Sequence, residues 1–356
     1  MLIDLHAHLP HPGFLDQHPH WGPTYVPSAD GDVNLRIGKW VLHLGIPERR
    51  QAVAAGNIIS REETMRQRAD PHFRLAQMDA AKQDIQVLSL PSHYAMYWAD
   101  KEFGKAYAEN TNRVMEEYCS ADPDRLKFFA HTALQDPKVA AAELEHAVTK
   151  RGAVGLGMGG ANFGGLEVHD EEFYPVWEMV SKLDIPVFVH GFNQSVTWGE
   201  DADKEPFDVT AIVGMPYDET RLFWYMINGG VLDRFPDLKI YITHGGGYVP
   251  YQLGRLDMTN QNLRTAKNKE PLRHYMKNFY FDPLIHELPM RQAVIDVIDA
   301  DNLLYGSNFG GSDAIREDLS APLKMSDENR EKLRWKNAAR LLKLDISADT
   351  PSLVAA

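Results

Sequence analysis

The sequence predicts an α/β chain built as one (β/α)8 TIM barrel, and three observations carry that prediction. Short apolar runs recur eight times along the chain. Amphipathic stretches of helical period separate most of them, as crossovers between parallel strands require. The length of 356 residues is more than a barrel of about 250 residues needs, which leaves room for an insertion.

In chain order, the first run is residues 2–5, at the very start of the sequence. Residues 9–63 then break the alternation with a loose order of Pro10, His11, Pro12, Gly13, His18, Pro19, His20 and Trp21. So long a segment fits a first βα-loop with a partly helical end that lies as a lid over the C-terminal mouth of the barrel. Runs at 86–90 (QVLSL), 127–130 (KFFA) and, more weakly, 152–156 (GAVGL) read as the next strands. Pro186–Val189, residues 238–242, Phe279–Phe281 and residues 302–305 complete the eight. Residues 139–150 and Tyr174–Leu183 show apolar positions at helical spacing. Ser326 is an N-cap for a closing helix over 327–344. The domain thus runs from 1 to 346, with 9–63 as its lid, and residues 347–356 form a tail expected to fray.

Composition narrows the function. Acids outnumber bases 50 to 37, for a net charge of −13, which disfavours nucleic acid and anionic membrane as partners. The single cysteine, Cys119, allows no internal disulfide and fits a reducing, cytoplasmic setting. No apolar run reaches the ~20 residues of a membrane span, and no signal-peptide pattern opens the sequence.

The chemistry concentrates at strand ends. In Asp4-Leu5-His6-Ala7-His8, the i, i+2 spacing projects His6 and His8 to the same side. His190 closes Pro186–Val189, and His244 closes the run at 238–242, followed by Gly245-Gly246-Gly247. Polar residues at C-terminal strand ends of a barrel face its functional mouth, so these four imidazoles converge. Neutral imidazole suits a divalent transition metal. Asn308, in Gly306-Ser307-Asn308, closes the eighth run where a metal barrel often places an acid. Its amide oxygen is a weak, uncharged ligand, and the amide cannot shuttle a proton. Asp313 is the nearest acid downstream.

These motifs resemble the amidohydrolase superfamily, and within it the branch containing aminocarboxymuconate-semialdehyde decarboxylase. The resemblance extends to Asp70-Pro71-His72-Phe73-Arg74, Val213-Gly214-Met215-Pro216, Phe235-Pro236-Asp237-Leu238-Lys239, Phe281-Asp282 and Asn337-Ala338-Ala339-Arg340-Leu341. It covers residues 1–8 and 65–345 and hardly touches the insertion. It implies an enzyme acting on an unsaturated or aromatic carboxylic acid. His6, His8 and His190 would hold a divalent metal, zinc first and manganese as the alternative. His244 would stand beside the metal-bound water as base, an assignment that agrees with a metal lowering the pKa of bound water to ~7. The family places an aspartate or glutamate at position 308, as a metal ligand that in aromatic decarboxylases delivers the proton to the ring. Asn308 departs from that pattern: either the chemistry differs, or the metal is held by fewer charges, or the asparagine is an engineered replacement.

Decarboxylation is the leading expectation. A C–C hydrolase or hydratase acting on a ring-cleavage product is the alternative, and a silent metal- or acid-binding relative is a third. Arg36 and Arg255 are candidates for gripping a carboxylate with a guanidinium fork. Arg255 matches a position that reaches into a neighbouring subunit in some relatives, which implies a homodimer. Phe192 and Trp198, in the loop after His190, are candidate walls for a flat acid. Arg74 is expected in a structural ion pair.

Overall fold

In a computed structural model, the residues described here are 1–27, 33–42, 60–191, 209–311, 313–347 and 349–354. Seven parallel strands form one sheet: β1 (Ile3–His8), β5 (Ile85–Ser89), β6 (Leu126–Ala130), β7 (Gly155–Met158), β8 (Pro186–Val189), β9 (Lys239–Ile242) and β10 (Phe279–Phe281), in that spatial order. Between them run α1 (Arg61–Ala69), α2 (Pro71–Ala80), α3 (Lys101–Cys119), α4 (Pro137–Arg151), α5 (Tyr174–Leu183), α6 (Met215–Asn228), α7 (Val231–Arg234) and α8 (Val249–Asn262).

Both faces of the sheet are buried, which is why the strands read as apolar runs. Val187, Val189, Ile240, Ile242, Phe279 and Phe281 pack into the larger core, together with Trp177 of α5 and Phe223 of α6. The alternate residues Phe188, Tyr241 and Tyr280 join Leu5, Val87 and Phe129 in a second cluster on the other face. His190 continues the parity of Phe188, and their rings lie 6.2 Å apart. In β8 the period of two thus places His190 on the face of Phe188.

Three expectations need correction. The weak run at 152–156 yields a strand only from Gly155, because Gly152 ends α4 in the left-handed conformation (φ 80°). The run at 302–305 does not make a strand ladder. Leu303 makes one parallel bridge to Phe281, Leu304 N donates to Phe281 O (2.9 Å) and Leu5 N donates to Tyr305 O (3.0 Å). Phe309 N then donates to His6 O (3.1 Å). Residues 303–309 are thus bonded to both edge strands, but the Asp4 carboxylate takes Ser307 N (3.1 Å) in place of a strand carbonyl. The tail residues Ser352 and Leu353 were expected to fray, yet both bond Asp84 Oδ1, at 2.6 and 2.7 Å.

The segment after β1 holds regular structure that the sequence reading missed. β2 (Thr24–Pro27), β3 (Val33–Ile37) and β4 (Trp40–Leu42) form an antiparallel sheet. The signal was the alternation of Val33, Leu35 and Ile37; Leu35 and Ile37 are fully buried in the main core. Trp21 Nε1 ties this segment to Asp100 Oδ2 at 2.5 Å. The closing helix is divided: Asp327–Glu331 is α-helical, Lys332–Lys336 is a π-turn, and Asn337–Leu342 is α-helical again. Ser326 caps it by accepting from Asn329 N (3.2 Å).

Candidate metal centre

The four strand-end histidines meet. Ring centroids lie 5.3 Å apart for His6 and His8, 5.1 Å for His6 and His190, and 5.0 Å for His6 and His244. His190 is 4.8 Å from His8 and 4.6 Å from His244. The nitrogens of His6, His190 and His244 all fall within 4.8 Å of one another, close enough to share one cation. His8 stands immediately beside that trio.

Each imidazole is held through Nδ1. His6 Nδ1 bonds Asp282 Oδ2 (3.0 Å), His8 Nδ1 pairs with Ser89 Oγ (2.8 Å), His190 Nδ1 donates to Gly191 O (2.7 Å) and His244 Nδ1 bonds Glu219 Oε1 (2.7 Å). Ser89 Oγ also donates to Ala7 O (3.2 Å), so it accepts from His8. The network therefore leaves Nε2 as the free nitrogen of every ring. His6 Nε2 is sealed from solvent and has no hydrogen-bond partner. A buried imidazole nitrogen left bare, with its other nitrogen on a carboxylate, is the arrangement a metal ligand requires. The residues present thus fit a divalent cation.

Electrostatics separates the four. Burial lowers His6, His8 and His190 well below the usual histidine range, so they are neutral with their lone pairs available. His244 goes the other way. Burial would lower it, but the charge of Glu219 and its hydrogen bond prevail, helped by Asp282 and Asp313, and raise it to about 9.

The supporting groups are buried and mostly occupied. Asp282 also accepts from Tyr241 Oη (2.7 Å), Gly245 N (3.0 Å) and Leu284 N (3.2 Å). Glu219, on α6, also receives Thr243 Oγ1 (2.9 Å) and Gly191 N (3.1 Å), which binds the ends of β8 and β9 to that helix. The glycine run after His244 follows from close approach: Gly247 has φ 60°, and a Cβ there would meet Pro216 O at 2.4 Å. Among the described residues Arg74 makes no ion pair. It donates to His8 O (2.6 Å) and Gln86 Oε1 (2.8 Å) and lies over the Phe309 ring, bracing the end of β1.

The remaining expected residues are scattered. Asn308 is buried, with Oδ1 unpartnered and Nδ2 donating to Asp313 Oδ1. Arg36 donates to the carbonyls of His20 (2.7 Å), Pro19 (3.0 Å) and Gly38 (3.2 Å), a use internal to its own segment. Arg255 is exposed on α8. Phe192 and Trp198 lie outside the described residues. Sequence reasoning passed over His131, which closes β6 just as His190 closes β8. It is buried and lowered to about 4, and it lines a small cavity with His190, Tyr97, Ser92 and Phe129. Asp282 carried the same strand-end signal. Glu219 carried none, because nothing in a helical sequence marks which turn lies beneath a neighbouring strand end.

A family model described as Amidohydrolase matches residues 3–344. The chain belongs to the amidohydrolase family. It is 27% identical to 2-amino-3-carboxymuconate-6-semialdehyde decarboxylase of Dictyostelium discoideum, over 78% of this chain and 77% of that protein. Among solved structures it is similar to 2,6-dihydroxybenzoate decarboxylase from Rhizobium, with 27% identity, a TM-score of 0.67, and coverage of 77% of this chain and 88% of that one. It shares its fold with 5-carboxyvanillate decarboxylase from Novosphingobium aromaticivorans, a structure complexed with manganese, at 22% identity and a TM-score of 0.66, covering 76% of this chain and 79% of that one.

Proposed function

We propose that the chain is a metal-dependent decarboxylase of an aromatic or dienoic carboxylic acid. The observation that carries this reading is the convergence of four imidazoles, each presenting Nε2, in a member of the amidohydrolase family. His6, His8 and His190, with Asn308, would hold the cation, zinc first and manganese as the alternative. Bound there, a divalent metal supplies Lewis-acid polarisation of a carboxylate or its neighbouring oxygen.

The protein's own part is proton handling. Loss of CO2 breaks a C–C bond and leaves its electron pair on the substrate carbon, which must then take up a proton. Asn308 has none to give. His244, fixed through Nδ1 by Glu219, would stand as the base beside the water that the metal holds, and once protonated its Nε2–H could pass that proton on. In the second reading, a hydratase or C–C hydrolase, the same Nε2 acts in its deprotonated form as the base toward water. The neutral amide at 308 favours that second reading, and the products separate the two.

Several finer features belong to the same proposal. Residues 303–309, bonded to β10 and β1, close the sheet as the eighth member of a (β/α)8 barrel spanning residues 1–346. The insertion at 9–63, of which 28–32 and 43–59 lie outside the described residues, would serve as a lid. A second copy of the chain would cover α8, where Arg255, Tyr251 and Met258 are exposed. The lone buried Cys119 suits the cytoplasm, and among the described residues no helix is long and apolar enough to cross a membrane.

The test is CO2 release from a panel holding 2,6-dihydroxybenzoate, 5-carboxyvanillate and 2-amino-3-carboxymuconate-6-semialdehyde, with zinc- or manganese-loaded protein. Turnover of a panel acid that His6→Ala abolishes supports decarboxylation. A hydrated product, or two organic acids without CO2, supports the second reading. No turnover of any panel compound, with metal bound, leaves the silent relative.

A further inference from the structure

Position 308 offers a neutral amide, and a carboxylate stands beside it. Asn308 follows Ser307, whose backbone and hydroxyl are fixed by Asp4, and precedes Phe309, whose N–H is fixed by His6 O. Its own backbone is left-handed, with φ 55°, a conformation that asparagine tolerates better than most residues. Only 3% of the residue is exposed.

The two ends of the amide face different surroundings. Nδ2 donates to Asp313 Oδ1, while Oδ1 is sealed from solvent without a partner. A carboxylate offers acceptors only, so it receives the NH2 end of the amide and turns the oxygen end away from itself. Gly311 packs against the amide: its N returns to Asn308 O (2.8 Å), and a Cβ there would meet Asn308 Oδ1 at 2.2 Å. Asp313 itself is half exposed. Its other oxygen lies 3.8 Å from His286 Nε2, and no lysine or arginine among the described residues bridges it.

We propose that Asp313 is the positioning carboxylate of this centre: it fixes the orientation of the Asn308 amide and delivers its negative charge through it, so that the buried Oδ1 serves as a cation ligand. The inference rests on the metal reading of the histidine cluster. An amide whose NH2 is held by a carboxylate carries more electron density on its oxygen than a free amide does. Outer groups of this kind typically change metal affinity by about 10–100-fold. Charge is thereby moved from the ligand atom to the group behind it, and the proton chemistry of an acid at position 308 is lost while its electrostatics is kept.

The experiment measures divalent affinity, independent of turnover, by zinc competition with a chromophoric chelator and by manganese EPR on metal-free protein. Wild type, Asp313→Asn, Asn308→Asp and the double variant are compared. Asp313→Asn weakens binding about 10–100-fold with unchanged circular dichroism. The double variant, which returns the charge to position 308, regains at least the wild-type affinity, so the two substitutions are strongly non-additive. Asn308→Asp alone sets two carboxylates against each other and gains less than the same change does in the Asp313→Asn background. Asp313→Asn binding within threefold of wild type overturns the inference and leaves the metal reading standing. A loss that Asn308→Asp does not rescue also overturns it, since the damage then lies in the loop. Failure of wild type to bind either ion overturns the metal reading, and this inference with it.

Discussion

Replacing Glu219 with glutamine separates the charge of the His244 pair from its shape. His244 is raised from 6.5 to about 9 in the metal-free protein, a preference for imidazolium worth about 3 kcal/mol in all. Its side chain is 16% exposed, so solvent screens this only in part. Burial acts most strongly and lowers His244; against burial, Glu219 raises it most, with Asp282 and Asp313 behind. In Glu219→Gln burial prevails, and His244 titrates at or below the usual histidine range. The pH dependence has a definite sign. A folded-state value above the unfolded one gives stabilisation that is complete below pH 6.5 and fades as pH rises through about 9. Metal-free wild type should therefore exceed the variant by about 2–3 kcal/mol at pH 6, with the gap closing toward pH 9.5. Urea unfolding across that range measures the gap, and imidazole NMR follows the titration directly. A gap that does not change with pH, or a His244 titration that the variant leaves in place, refutes the reasoning.

Other perturbations test the surrounding parts. Asp282→Asn removes the negative charge behind His6 Nδ1–H and should weaken zinc or manganese binding about 10–100-fold by chelator competition. Arg74→Leu strands the His8 carbonyl and the Gln86 side chain in the core, and should lower stability by about 2–4 kcal/mol in denaturant titration. Trp177→Ala should cost about 3–5 kcal/mol by the same measurement, since the indole is fully buried and its Nε1 donates to Val168 O at 2.8 Å. Arg255→Ala should reduce assembly by light scattering and raise KM if a second copy contributes this arginine to the site. Unchanged assembly and KM remove that role.

Strand parity explains how much of this was legible in the sequence. Pro186–Val189 and Phe279–Phe281 could be read to the residue, because strands buried on both faces are unbroken apolar runs bounded by polar ends. The same rule located His190 and His244, and it applies equally to His131 and Asp282. What escaped was three-dimensional. Glu219 belongs to a helix whose packing, and not its pattern, brings it beneath His244. The run at 302–305 has the composition of a strand, yet a buried Asp4 carboxylate takes the N–H of Ser307 that a ladder would use. Arg36 lies in a stretch with loose family likeness, but the carbonyls of Pro19, His20 and Gly38 occupy the guanidinium. The sheet of β2, β3 and β4 was obscured by the prolines and histidines ahead of it, although Val33, Leu35 and Ile37 alternate cleanly.

The central claim is that imidazoles from two strand ends, His6 and His8 of β1 and His190 after β8, share one cation. Anomalous diffraction from crystals soaked in manganese or zinc tests it most directly. The account predicts a single strong peak within about 2.0–2.3 Å of Nε2 of His6 and His190, absent from a His6→Ala/His190→Ala protein that keeps its fold. A map with no peak among these rings, or a peak that survives the double substitution, would contradict it.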